Sequence, residues 1–100
     1  MSQPNGPPEF KVVLGHYLKL RADQLHDIAA EHGLGAEFID ALKQMDIGLR
    51  RDPRNFGDPV FRLPALKLTV YIRAVFPLTA DYGVHDWLPL VIMRGFRLMI

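Results

Sequence analysis

The spacing of hydrophobic and polar positions changes period along this 100-residue chain, and each change marks a predicted element. From Phe10, the order Phe10, Val12, Leu14 alternates with Lys11 and Val13, and the β-branched residues predict a short first strand ending near Gly15. The period then lengthens. Leu18, Leu25, Ile28, Ala29 and His32 share one side of a helix, Arg21, Asp23, Gln24, Asp27 and Glu31 fall mostly on the other, and Gly33 supplies a stop. Beyond Gly33-Leu34-Gly35, Phe38, Leu42, Met45 and Leu49 recur at helical spacing with Ile39 alongside, which predicts a second amphipathic helix closed by Asp52-Pro53. So short a turn makes the two helices an antiparallel hairpin whose apolar stripes need a common surface.

The second half of the chain is expected to provide it. Asn55-Phe56-Gly57-Asp58-Pro59 is dense in turn formers. After it, Leu66, Leu68, Val70, Ile72, Ala74 and Phe76 occupy one face of a strand while Lys67, Thr69, Tyr71, Arg73 and Val75 occupy the other. Pro77 ends that strand, a second runs over Leu78–Val84, His85-Asp86-Trp87 makes a hairpin, and a last strand runs over Leu90–Met99. The expected fold is α+β, in the order β-α-α-β-β-β, with an antiparallel sheet packed on the helical hairpin. Leu18, Leu25, Ile28, Phe38, Leu42, Met45 and Leu49 are expected to bury against Leu68, Val70 and Ile72, leaving the polar sheet face open. Residues 1–9, with three prolines, read as a flexible tail ahead of a single domain over residues 10–100.

Composition narrows the chemistry. Hydrophobic residues at 49% and charged residues at 23% are ordinary globular usage and exclude a disordered or fibrous chain. Without cysteine there is no disulfide, thiolate metal site or cysteine nucleophile. His16, His26, His32 and His85 lack metal-ligand spacing, and Gly33 and Gly35 lie between two helices rather than after a strand, so neither a metal nor a nucleotide cofactor is expected. The first ten residues lack the basic and apolar runs of a signal peptide, and Pro89 and Arg94 interrupt the most apolar region well short of about 18 apolar residues. A cytoplasmic location without a membrane partner is therefore expected. Net charge is +1 but uneven: residues 1–49 hold four bases against seven acids, residues 50–100 eight bases against four. That asymmetry suits an anionic partner for the C-terminal half.

Leu49-Arg50-Arg51-Asp52-Pro53 at the end of the second helix, Phe56-Gly57 in the connection, a strand ending at Tyr82-Gly83-Val84 and the closing run Val91-Ile92-Met93-Arg94-Gly95-Phe96-Arg97 resemble the RelE/ParE toxin superfamily over residues 10–98. The resemblance implies the toxin-like half of a type II toxin–antitoxin pair, with an antitoxin-like protein covering the basic face. In the ribonuclease members it further implies cleavage of mRNA on the ribosome, where a 2′-hydroxyl attacks the adjacent phosphate and cations stabilise the crowded transition state. Arg97 matches the terminal Gly-x-Arg and is the expected catalytic cation, with Arg73 as a second. Lys67, Tyr71 and Arg94 are the expected substrate-binding residues. The chain departs from the ribonuclease pattern at Thr79, where an arginine is frequent, and at Phe96, where a histidine is frequent. Other members poison DNA gyrase without a catalytic constellation, so two expectations stand: an mRNA endoribonuclease, or a non-catalytic binding protein of the same fold with a protein partner or a gyrase-type target.

Overall fold

A computed structural model describes residues 9–100; the expected tail falls outside them except for Glu9. The elements are β1 (Lys11–Val13), α1 (His16–Glu31), α2 (Gly35–Arg51), α3 (Pro53–Phe56), β2 (Asp58–Leu63), a 3₁₀ turn (Pro64–Leu66), β3 (Leu68–Val75), β4 (Leu78–His85) and β5 (Leu90–Leu98). The chain is α+β, with one five-stranded sheet in the order β1-β5-β4-β3-β2. The sheet is mixed rather than antiparallel, because β1 runs parallel to β5, pairing Lys11 with Leu90 and Val13 with Ile92.

Local chemistry accounts for the helix ends. Gly33 takes a left-handed φ of 74°, and the N–H groups of Gly33 and Leu34 turn back to the carbonyls of Ala30 and Ala29 at 3.0 and 2.8 Å, closing α1. Glu37 in the first turn of α2, and Arg50 and Arg51 in its last, complement the helix dipole. Pro53 opens α3, where its missing N–H leaves no donor wanting.

β2 corrects the sequence reading. Asp58–Leu63, which begins among the turn formers, pairs antiparallel with β3, from Asp58 opposite Ile72 to Leu63 opposite Leu68. Pro59 is tolerated because β2 is an edge strand, and the register shifts between Pro59 and Phe61.

The facing of β3 is a second correction. Leu18, Leu25 and Ala29 of α1 and Phe38, Ala41, Met45 and Leu49 of α2 pack with Tyr71, Leu78, Ala80, Tyr82, Val84, Val91, Met93 and Phe96. The strand register sets this: Tyr71 stands opposite Tyr82, Arg73 opposite Ala80 and Val75 opposite Leu78, so the Tyr71, Arg73, Val75 side of β3 faces the helices. Ile28 is 40% exposed, and Leu42 is only partly buried. Leu68 and Val70 are buried on the opposite face. There Phe61 of β2 stands opposite Val70, and the Arg94 guanidinium of β5 lies 5.5 Å from the Phe61 ring centre, so the two side chains reach over β3 and β4 to meet. Gly83, opposite Val70, makes room beneath them: a Cβ there would stand 3.1 Å from Leu68 Cδ1. The apolar row of β3 is covered by an added strand and two bridging side chains instead of by helices.

Candidate functional site on the open sheet face

A bulge organises the open face. Tyr82 pairs with Met93, but Asp81 pairs with Gly95, so Arg94 is an extra residue on β5. Strict alternation would turn Phe96 outward and Arg97 inward; the extra residue instead keeps Met93 and Phe96 in the core and sends both Arg94 and Arg97 to the open side. The bulge also explains a glycine. A Cβ at Gly95 would stand 2.7 Å from Asp81 Oδ1, so only glycine lets the Asp81 carboxylate lie against this strand. Asp81 Oδ2 is 3.8 Å from Arg94 Nη1, a long and half-exposed ion pair. Arg97, opposite Thr79, is exposed, and among the described residues no ion pair holds its guanidinium.

The other expected site residues lie elsewhere. Arg73 is on the helix face, its guanidinium 4.7 Å from the Phe56 ring centre. Phe56 in turn fits against Gly48, where a Cβ would come within 2.3 Å of the ring. Tyr71 is buried and stacks on Tyr82 with ring centres 5.6 Å apart and planes 10° from parallel. The Tyr82 hydroxyl donates a 2.7 Å hydrogen bond to the carbonyl of Pro53. Burial pushes this phenol well above the ordinary tyrosine range, and neighbouring Tyr71 pushes it the same way, so Tyr82 stays protonated and acts as a strut between β4 and α3. Lys67 holds a left-handed φ of 57° just before β3, with Nζ 4.8 Å from the Trp87 ring centre.

The five expected site residues therefore separate into three places. Arg94 and Arg97 share the open face; Arg73 and Tyr71 face the helices; Lys67 sits at one end of the sheet. Arg73 and Arg97 cannot flank one phosphate, because the register places them on opposite faces. Two residues of the open face escaped the sequence reading. Asp81 was legible, since it alternates out of phase with Leu78, Ala80, Tyr82 and Val84. Phe61 was hidden with β2, although Val60-Phe61-Arg62-Leu63 carries the β-rich alternation that marks a strand.

An apolar recess of about 100 Å³ lies on the other side of the sheet, among Val12, Leu14, Leu42, Met45, Met93 and Phe96, away from Arg97. Among the described residues no group of three His, Asp or Glu is placed to hold a metal, and no helix is long and apolar enough to cross a membrane. No family model, curated protein or solved structure matches the chain.

Proposed function

We propose that this chain is a toxin-like protein of the RelE/ParE kind that acts by binding RNA on the ribosome through its open sheet face, with an antitoxin-like protein as the cover of that face. The observation that carries the reading is Arg97: an exposed guanidinium without an ion pair among the described residues, turned by the bulge to the same face as Arg94. A planar guanidinium grips a phosphate by two parallel hydrogen bonds, and the Phe61 ring next to Arg94 adds an aromatic surface on the same face. The order of one strand, two long helices with a short third, and a four-stranded antiparallel meander is close to the β-α-α-β-β-β order on which the resemblance rests.

Binding is favoured over cleavage because the two cations expected at the scissile phosphate are on opposite faces of the sheet. One observation favours the second reading, mRNA cleavage: Asp81 places a carboxylate, the charge type of a general base, beside Arg94. Incubating the protein with ribosomes carrying mRNA separates the two. The binding reading predicts salt-sensitive association without cleavage, and Arg97→Ala reduces the salt slope by about one. Cleavage that Asp81→Asn abolishes establishes the second reading, and absence of any association with ribosomes or RNA overturns both.

A further inference from the structure

The end of the sheet opposite Arg97 has a different character. The loop between β4 and β5 carries Trp87, 74% exposed, and Leu88, 55% exposed; the neighbouring 3₁₀ turn carries Leu66, 61% exposed. The Asp86 N–H bonds the Lys67 carbonyl at 2.8 Å, which ties the two loops side by side, so the three exposed apolar side chains rise as a crown from one end of the sheet. The stem below is held by cations. Arg54 Nη2 donates to the His85 carbonyl at 2.8 Å, Arg62 Nη2 donates to Asp86 Oδ2 at 2.6 Å, and Lys67 Nζ rests 4.8 Å from the Trp87 ring centre. The loop itself is stiff: His85 Nδ1 accepts from the N–H groups of Trp87 and Leu88 at 3.1 and 3.0 Å.

A stiff loop that holds a tryptophan and a leucine out in water has no account in the stability of this domain, since burial is what stabilises such side chains. Three side chains are also too few for a lasting protein interface, which takes roughly 800 Å² from each partner. The arrangement of apolar crown and cationic collar matches a bilayer surface. Leucine enters the acyl boundary, the amphipathic indole stays at headgroup level, and Lys67 and Arg54 meet anionic headgroups, while Asp86 holds Arg62 in an ion pair.

We propose that the Leu66, Trp87 and Leu88 crown, with its flanking cations Lys67 and Arg54, is a docking wedge for an anionic lipid bilayer surface. The contact is shallow and reversible, so it coexists with the absence of a membrane-spanning helix among the described residues. It revises the expectation of no membrane partner, which rested on spanning length. It does not depend on the RNA-binding reading, because Arg97 lies toward the far end of β5.

Trp87 is the chain's single tryptophan, so its fluorescence reports directly on the wedge. With vesicles of phosphatidylcholine containing about one-third phosphatidylserine at low salt, the emission is expected to shift to the blue and to be quenched by brominated phosphatidylcholine. The response weakens at high salt and vanishes with pure phosphatidylcholine. Leu88→Glu, a change at an exposed position that keeps the fluorophore, lowers vesicle affinity by about tenfold or more, whereas Arg97→Ala leaves it unchanged. The wild-type measurement decides the matter even if a variant misfolds. Emission unaltered by anionic vesicles overturns the proposal, as does quenching by a single-stranded oligonucleotide without any vesicle response, which makes Trp87 a base-stacking platform.

Discussion

The two faces of this sheet bury similar residues by different means. On the helix face, Leu78, Ala80, Tyr82, Val84, Val91, Met93 and Phe96 lie under two helices, with a short third one anchored by the Tyr82 bond to Pro53. On the open face, Leu68 and Val70 are equally hidden, yet among the described residues no helix covers them; Phe61 and Arg94 close over the space that Gly83 leaves. The first cover is a layer with many redundant contacts. The second consists of two side chains, both themselves partly in water. A roof that thin contributes less stability per residue and leaves charged groups at the surface, so the face that stabilises least is the one free to bind.

The contrast breaks if truncation costs the same on both sides. Phe38→Ala, within the helix layer and fully buried, should destabilise by about 3–5 kcal/mol in denaturant unfolding. Val70→Ala, equally buried on the open face, should cost about 1–2 kcal/mol, near the transfer value of two methyl groups, because exposed Phe61 can settle into the gap. A Val70→Ala loss above that of Phe38→Ala would show that the open face is the true core.

These costs also mark what was legible in the sequence. The alternation of β3 divided its residues into two faces correctly, but alternation has no sign: it says which residues share a face, not which face meets the helices. That choice lies in the register with β4, where Tyr71 meets Tyr82 and Val75 meets Leu78. Arg73 belongs to the covered face by that register, and its guanidinium packs over the Phe56 ring there, a contact that a hydrophobic count misses. α1 and α2 were legible almost to their ends, since Gly33 and Pro53 act locally, whereas the short α3 fell in what read as a turn-rich connection. The bulge at Arg94 had a local signal in Gly95 as well, and it explains why Arg97 reaches the open face although Phe96 next to it is in the core.

Smaller effects sharpen the comparison. Tyr82→Phe removes the hydrogen bond to Pro53 and should cost about 1 kcal/mol. Its pH dependence has a definite sign. The folded phenol titrates above the ordinary tyrosine value of about 10, so below that pH the proton is bound in both states and stability is unaffected. Above it the unfolded chain releases the proton first, and wild-type stability falls with rising pH; Tyr82→Phe should lack that part of the decline. The smallest expected signal is the coupling between Phe61 and Arg94. A double-mutant cycle should give about 0.5–1 kcal/mol, and strict additivity would mean that the two do not form a shared roof.

The central claim is that one arginine of the expected pair works at the open face while the other packs against Phe56, and it is tested by comparing two alanine variants for growth arrest and thermal stability. On the proposed toxin-like reading, expression without an antitoxin-like partner arrests growth, and Arg97→Ala should relieve that arrest with an unchanged melting temperature. Arg73→Ala should still arrest growth while melting a few degrees lower, about what the loss of a partly exposed cation–aromatic contact implies. Loss of arrest in a folded Arg73→Ala together with full arrest by Arg97→Ala would contradict the account.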